Sequence, residues 1–248
     1  MPLKIQENAI FIADSHHSFY NNSLDDFFNY LLTLSPRQIF LLGDIFDFLV
    51  GPVEKSIKDN QNLLEKLEKI TKIHCVFYFE GNHDFLLKDL QYFHKIQYFS
   101  LQNQPVLFTL NDEKIYLAHG DNFNNLSYKI YTKIIRNQKI ITILNLFDRL
   151  FPIYNKIIEH LKNKNIKYNF KNTEFFIKNR IEKYKENTKE YTDFSILEGH
   201  FHLGEFLQSQ GIKYYGMPCF SCKKKYFIVE FKNNCLSLIQ KEFLSGKF

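Results

Sequence analysis

The chain of 248 residues has no tryptophan, little cysteine and no long apolar run. Residues 1–6 contain no basic region followed by an apolar stretch, and the apolar residues 9–13, which end at Asp14, are too few for a signal peptide or a membrane span. These absences argue against secretion or insertion into a bilayer, and we expect a cytoplasmic protein. The lack of tryptophan beside abundant Phe, Lys, Asn and Ile is consistent with biased codon usage, and we infer no function from it.

Cysteine is present at four positions, of which Cys219 and Cys222 form one Cys-x-x-Cys pair. No second pair is present to complete a zinc ribbon. The pair is therefore either two reduced structural thiols or a redox or metal site. We expect reduced structural thiols.

Positive charge is concentrated in one part of the chain. Residues 123–190 contain 15 basic and 6 acidic side chains and carry +9, whereas the remainder carries −4, which together give the net charge of +5. Such asymmetry indicates a local surface for phosphate, anionic lipid or nucleic acid. A solvated helical face is the alternative explanation.

The apolar pattern alternates between strand and helix in the first half of the chain. Short runs rich in Ile, Phe, Tyr and Val predict buried strands at residues 9–13, 39–42, 73–79 and 115–118. Helical patterns lie between them at residues 24–34 and 54–70. This order predicts an α/β fold, in which ligands gather at the carboxyl ends of the strands.

A nearly continuous helical signal replaces this alternation at residues 122–192. We predict helices at residues 126–150, 153–161 and about 173–186, separated by Pro152 and a polar Lys/Asn stretch. Strands resume at residues 194–197, and further strands are predicted at 213–215, 226–231 and 236–239. The predicted organisation is a core of residues 1–121 and 193–248, with residues 122–192 as a basic, amphipathic helical insertion.

Five short polar motifs follow the predicted strands, and together they contain the ligands of a metal site. They are Asp14-Ser15-His16, Gly43-Asp44-Ile45-Phe46-Asp47, Gly81-Asn82-His83-Asp84, Ala118-His119-Gly120-Asp121 and Gly199-His200-Phe201-His202. Mixed nitrogen and oxygen ligands suit divalent Mn, Fe or Zn. One such dipeptide alone is weak evidence, but five in order predict a metal-dependent hydrolase.

The spacing within the motifs suggests how the ligands converge. Asp14 and His16 are two residues apart at a strand end and share a face, as do His200 and His202. Asp44 is the candidate carboxylate to bridge two ions, with Asn82 and His119 completing the second ion's ligands. Two ions could hold a hydroxide between them and clamp a phosphate during in-line displacement. Asp47 is predicted to orient a neighbouring ligand.

His83 and Asp84 are the predicted catalytic pair. We expect the Asp84 carboxylate to hold a protonated His83 imidazole beside the phosphate. There His83 would stabilise transition-state charge or protonate the leaving oxygen.

In motif order and content the chain resembles the calcineurin-like metallophosphoesterases, with their D-x-H, G-D-x-x-D, G-N-H-D/E, H and G-H-x-H motifs, over about residues 9–202. The resemblance implies an α/β/β/α sandwich with a dinuclear metal centre. It assigns Asp14, His16, Asp44 and His202 to one ion. To the other ion it assigns Asp44, Asn82, His119 and His200.

Within that family the chain looks most like the UDP-2,3-diacylglucosamine pyrophosphatases of lipid A synthesis. The shared features are the run from Gly81 to Leu87, the His-Gly-Asp motif and the basic helical segment that follows it. The resemblance implies hydrolysis to UMP and 2,3-diacylglucosamine 1-phosphate, usually with Mn. The chain departs from the better known branch at His83 and Leu203, where that branch has arginine.

The insertion is predicted to be a lid that shelters acyl chains and meets the cytoplasmic face of the inner membrane. Predicted substrate contacts, besides Asn82, are Tyr128, Lys129, Lys133 and Arg136. A helix pair that buries its apolar face on the core explains the same pattern. Two other functions remain open: a phosphoesterase acting on soluble nucleotides or nucleic acid, the less expected partner, and a scaffold without catalysis.

Overall fold

The computed structural model describes residues 2–148, 151–163 and 173–244. Strands in these ranges are β1 (Leu3–Lys4), β2 (Ile10–Ile12), β3 (Gln38–Leu42), β4 (Leu49–Val50), β5 (Cys75–Phe79), β6 (Asp84–Phe85), β7 (Gln97–Phe99), β8 (Val106–Leu110), β9 (Glu113–Ala118), β10 (Phe194–Glu198), β11 (Phe206–Ser209), β12 (Ile212–Gly216), β13 (Lys225–Lys232) and β14 (Cys235–Glu242). Helices are α1 (Ser23–Thr33), α2 (Glu54–Asp59), α3 (Gln61–Ile70), α4 (Leu126–Ile135), α5 (Gln138–Asp148), α6 (Ile153–Lys162), α7 (Thr173–Thr188) and α8 (Phe220–Lys223). None of these helices combines the length and apolar character that crossing a bilayer requires.

Two six-stranded sheets form the centre of the fold. Their orders are β14-β13-β2-β3-β5-β7 and β1-β8-β9-β10-β12-β11, and β4 and β6 pair separately. β2, β3 and β5 are parallel, as are β9, β10 and β12, so each sheet has several carboxyl ends at one edge. That edge is where the polar motifs lie.

The two sheets pack face to face through aromatic side chains. Phe40 stacks between Phe11 and Phe77, with ring centroids 4.3 and 4.5 Å away, and Phe108 of the second sheet meets Phe40 edge-on at 5.4 Å. All residues of β3 are buried, as expected for a parallel strand covered on both faces. Leu24, Phe28, Leu64 and other residues of α1 and α3 cover the outer face of the first sheet, which completes one half of an α/β/β/α sandwich.

Helix α7 covers the outer face of the second sheet. Its residues Ile177, Ile181 and Tyr184 share a buried cluster with Ile196 and Tyr214 of that sheet. α7 therefore acts as the fourth layer of the sandwich. We propose that the inserted unit ends before α7 and not at residue 192.

Helices α4, α5 and α6, which are the inserted unit in this proposal, pack over the small β4–β6 sheet. Ile141 of α5 is buried against Val50 and Phe85 of that sheet. The prediction of one helix over residues 126–150 is corrected, since Arg136 and Asn137 separate α4 from α5 and residues 149–150 lie outside the described ranges. The Asn137 Oδ1 atom accepts from the amides of Lys139 and Ile140 and so starts a new helix.

The predicted helix at residues 54–70 is likewise two helices. Asn60 ends α2 and precedes α3, and its side-chain amide donates to the carbonyls of Phe48 and Ser56. The hydrogen bond to Phe48 connects the junction between α2 and α3 to the loop that follows the second motif.

Candidate metal centre

The predicted ligands converge at the shared edge of the two sheets. Three groups have ligand atoms within 4.8 Å of one another: Asp14, His16 and His202; His16, Asp44 and His83; and Asp44, His119 and His200. β2, β3 and β5 bring the first three motifs from one sheet, while β9 and β10 bring the other two. Metal assignment of each residue remains a prediction, but the geometry that it requires is present.

Asp44 belongs to two of these groups, which is the position that a bridging carboxylate needs. Its Oδ1 atom accepts from the His83 amide at 2.9 Å, and its Oδ2 atom lies 3.5 Å from His119 Nε2. The carboxylate is therefore fixed by the backbone on one side and faces imidazoles on the other.

His119 shows that a cation fits between these side chains. Its Nδ1 atom lies 2.9 Å from the Leu42 carbonyl and donates to it, because that oxygen can only accept. Its Nε2 atom then faces two more acceptors, Asn82 Oδ1 at 3.3 Å and Asp44 Oδ2 at 3.5 Å. In the neutral ring with its proton on Nδ1, Nε2 is also an acceptor. Three acceptor atoms, His119 Nε2, Asn82 Oδ1 and Asp44 Oδ2, then face one another, and a proton or a metal ion is needed between them.

His16 is oriented in the same way by a carboxylate. Its Nδ1 atom lies 3.4 Å from Asp47 Oδ1, while its buried Nε2 atom has no hydrogen-bond partner among the described residues. Tyr20 donates its hydroxyl to Asp47 and fixes that carboxylate in turn. A ring with one nitrogen held by a carboxylate and the other left open is typical of a metal-binding histidine, and it agrees with the predicted orienting role of Asp47.

The electrostatics of the site favour ionised carboxylates. Burial opposes ionisation of Asp14 and Asp44, but the imidazoles of His202 and His119 hold both pKa values below the usual range. Burial would lower the pKa of His119, yet Asp44 raises it well above the usual value. Burial and the charge on His119 lower the pKa of His200 to about 4. The site thus combines anionic oxygens with imidazole nitrogens, which are ligand types that suit divalent cations such as Mn, Fe and Zn.

The backbone at the site is held in sparsely populated conformations. Five predicted ligands have positive φ: Asp14, His16, Asp44, His200 and His202, at 53°, 43°, 50°, 65° and 56°. Such conformations cost free energy for residues with a side chain and persist where the surrounding fold imposes them. Gly43, at φ 77°, also passes so close to His119 that a Cβ would lie 2.4 Å from Nδ1.

The predicted pairing of Asp84 with the His83 ring is wrong. Asp84 is fully buried and accepts from the amides of Asp44, Ile45, Phe46 and Gly81 and from the Tyr78 hydroxyl. Burial and the nearby Asp44 raise the pKa of Asp84 to about 7. Asp84 therefore shapes the turn that presents Asp44.

His83 is instead held by the second motif. Its Nδ1 atom lies 2.7 Å from the Asp47 carbonyl, and its ring meets His16 edge-on at 4.9 Å. Nε2 is left as the atom available for other contacts. The catalytic role of His83 remains a prediction.

The four predicted substrate contacts of α4 and its end line one cavity of about 520 Å³, most of whose lining residues are of polar type: Tyr128, Lys129, Lys133 and Arg136. Arg136 is buried and donates to Glu80 and to the Gly81 carbonyl, which the sequence pattern did not indicate. Its guanidinium therefore stabilises the backbone of the third motif at Gly81. The Tyr128 hydroxyl donates to the carboxylate of Asp121 in the fourth motif.

A second cavity, of about 450 Å³, is mainly apolar and adjoins the third motif. Its lining includes Asn82 and His83, and side chains of α4, α5 and α6 form much of the rest, including Ile135, Ile141 and Leu144. The insertion thus builds an apolar chamber beside the metal ligands.

The Cys-x-x-Cys pair lies next to this centre. Cys219 is buried, with Sγ 3.4 Å from the Asp14 carbonyl and 3.1 Å from Cys222 Sγ. Among the residues that the structure describes, no group able to hold a metal contains cysteine.

Some residues of the site gave no signal in the sequence. The Gln104 Oε1 atom accepts from the His119 amide at 2.7 Å and thereby orients that motif. It stands outside every motif, so only the fold reveals it.

The comparisons with known proteins agree with this geometry. The calcineurin-like phosphoesterase family matches residues 8–227, so the chain belongs to that family and is a hydrolytic enzyme.

The chain is also similar to proteins named UDP-2,3-diacylglucosamine hydrolase. The one from Wigglesworthia glossinidia brevipalpis is 28% identical over 210 residues, which are 79% of each chain. The one from Haemophilus influenzae (strain PittGG) is 28% identical over 216 residues, which are 83% of this chain and 87% of the relative. A solved dimetal phosphatase from Danio rerio aligns with 95% of this chain and 96% of its own at 10% identity and a TM-score of 0.49.

Proposed function

We propose that the enzyme hydrolyses the pyrophosphate bond of UDP-2,3-diacylglucosamine to give UMP and 2,3-diacylglucosamine 1-phosphate. The apolar chamber beside Asn82 and His83 is the observation that carries this proposal. A soluble nucleotide has no use for such a chamber next to its phosphates, whereas a diacylated sugar does. The names of the relatives support the same substrate.

The chamber suits acyl chains in size and character. Its volume of about 450 Å³ falls within the range of roughly 300–1,000 Å³ that is typical of ligand pockets. Burial of each methylene contributes about 0.8 kcal/mol. Acyl chains seated there would hold the sugar diphosphate at the metal ligands.

Two divalent ions would neutralise charge at the phosphate and lower the pKa of bound water. Mn is the first candidate, and Fe or Zn are the alternatives. Asp14, His16, Asp44 and His202 would hold one ion, and Asp44, Asn82, His119 and His200 the other. His83, fixed through Nδ1, would present Nε2 to the phosphate oxygens from the chamber side.

We also propose that the insertion rests on the inner-membrane surface. Several apolar side chains of α4 to α6 and the loop between them are exposed: Leu126, Ile130, Ile134, Leu146, Phe147 and Phe151. Lys129, Lys133 and Lys139 lie among them, which suits anionic headgroups.

Incubation of the purified protein and Mn with UDP-2,3-diacylglucosamine tests the substrate, with mass analysis of the products. UMP and 2,3-diacylglucosamine 1-phosphate are expected, and Asp44→Asn should abolish both. Hydrolysis of an aryl phosphate without any UMP would instead favour a phosphoesterase acting on soluble substrates.

Sedimentation with vesicles tests the membrane surface. Binding should be stronger to vesicles containing phosphatidylglycerol than to phosphatidylcholine alone, and Ile130→Glu should weaken it. Phe231→Glu, at an exposed site on β13, is the matched control. Equal loss in both variants would contradict an interface on the insertion.

A further inference from the structure

Arg180 of α7 is a buried charge placed between two ligand motifs. Its side chain is 2% exposed. The helix that carries it lies outside all five motifs, yet its guanidinium reaches the segments that follow His119 and precede His200.

On one side the guanidinium binds Glu198, the last residue of β10. Nε donates to Oε1 at 2.8 Å and Nη2 donates to Oε2 at 2.7 Å, a two-point contact with a fully buried carboxylate. The hydroxyls of Tyr184 and Tyr214 donate to the same carboxylate. Glu198 is followed directly by Gly199 and His200.

On the other side the guanidinium binds the segment after His119. Nη2 donates to the Gly120 carbonyl at 3.2 Å and to Asn122 Oδ1 at 2.9 Å, and Nη1 donates to the Asn122 carbonyl at 3.2 Å. Its Cζ atom also lies 5.0 Å from the centroid of the Phe201 ring, between the two histidines of the last motif.

These contacts lie beside two predicted ligands that are close together. The rings of His119 and His200 are 5.0 Å apart, and both belong to the group around Asp44. A buried ion pair adds little net stability over apolar residues of the same volume, because desolvation offsets the attraction. A rigid planar fork does, however, fix the relative position of the groups that it joins.

We propose that Arg180 is a positioning residue of the metal centre, which holds the His119 and His200 motifs at the separation needed by the ion that Asp44, His119 and His200 would share. The role is independent of the substrate proposed above. It makes α7, a helix of the sandwich, a supporting part of the metal site.

The first test is Arg180→Lys. Lysine keeps a positive charge for Glu198, but one ammonium group cannot reproduce the fork that spans to Gly120 and Asn122. Mn binding followed by electron paramagnetic resonance should show the ion of the Asp14, His16 and His202 group at wild-type affinity. The other ion should bind at least about tenfold more weakly, so that the spin-coupled signal of the dinuclear centre is lost first.

The second test removes the charges together. Arg180→Met with Glu198→Gln leaves no unpaired buried charge and keeps a carbonyl oxygen for the tyrosines. It should retain the wild-type circular dichroism spectrum and still lose the spin-coupled signal. Lys178→Ala, at an exposed site on the same helix, should change neither measurement.

Either of two results would overturn the proposal. One is a folded double variant with wild-type affinity for both ions, which would leave Arg180 without influence on the centre. The other is a double variant that does not fold, since the pair would then serve stability. Because the readout is metal binding, failure here leaves the substrate proposal untouched, and absence of UMP leaves this one untouched.

Discussion

At the scale of single residues, the site depends on groups that orient ligands as much as on the ligands. The Leu42 carbonyl sets the tautomer of His119, and Asp47 faces the Nδ1 atom of His16. Asp84 gathers the amides of the turn that presents Asp44. His119, His16 and Asp44 therefore each have one nitrogen or oxygen atom fixed by the protein and another directed at the centre.

Gly81→Ala should damage the centre through Asp44. A Cβ at residue 81 would lie 2.3 Å from Asp44 Oδ1 and 2.4 Å from the Asp44 amide nitrogen, and backbone cannot move away cheaply. We expect a loss of about 1–3 kcal/mol in the free energy of unfolding and at least a tenfold fall in aryl phosphate hydrolysis. Gly211→Asn is the control, since a Cβ there meets nothing within 4 Å and asparagine tolerates its φ of 78°. Hydrolysis of an aryl phosphate by Gly81→Ala at the wild-type rate would contradict the expected steric conflict with Asp44.

Metal binding at pH 7 should release a proton from His119. Burial opposes protonation of this ring, but Asp44 raises its pKa well above 6.5, so the metal-free protein carries the proton at pH 7. A bound ion must displace it, and apparent affinity should therefore fall as pH decreases. His200, with a pKa lowered to about 4, contributes no proton in this range. Calorimetry of Mn binding in two buffers with different ionisation enthalpies measures the release, and identical heats would contradict it.

At the scale of elements, the sequence predicted long, periodic or fully apolar segments and missed short ones. β2, β3, β5, β9 and β10 were predictable because buried parallel strands are mainly apolar. β4 and β6 have two residues each, and their pairing depends on contacts between distant segments. No local pattern specifies such strands.

The placement of α7 was hidden for a related reason. Its apolar residues face the second sheet, but its sequence continues the helical signal that begins at residue 122, so that signal grouped it with the insertion. Asp84 was misassigned because sequence adjacency to His83 suggested contact, while the turn directs its carboxylate to the amides of the second motif. The ligand motifs were predictable because they follow strands that end at one edge.

Helix α5 offers a test of the apolar chamber with an internal control. Leu144 lines the chamber and is 46% exposed, whereas Thr142 on the same helix is exposed and lies outside the lining. In detergent micelles, Leu144→Glu should raise KM for UDP-2,3-diacylglucosamine roughly thirtyfold, equivalent to about 2 kcal/mol of lost acyl contact. Thr142→Glu should leave KM unchanged, and neither should affect hydrolysis of an aryl phosphate. Equal effects of the two variants would place the acyl chains elsewhere.

At the scale of the whole molecule, the metal centre joins the two sheets. The His200 amide donates to the Asp14 carboxylate, and the His119 ring donates to the Leu42 carbonyl, so both contacts cross from one sheet to the other. Below this edge the sheets are held by the aromatic packing of Phe40, Phe77 and Phe108. An ion bound at the edge would add a further link between two layers that meet mainly through apolar contacts.

Mn should therefore stabilise the entire fold and not only the loops around it. At a free ion concentration of 100 times Kd, binding to the native state alone contributes about 2.7 kcal/mol for each site. In a chain of this size that corresponds to a rise of roughly 5–10 °C in Tm. Asp44→Asn should lose most of the rise because this carboxylate belongs to two of the three ligand groups. Asp112→Asn, which alters a carboxylate that is 88% exposed, should retain it. Scanning calorimetry with and without Mn measures both, and an equal rise in the two variants would mean that the stabilising ion binds away from Asp44.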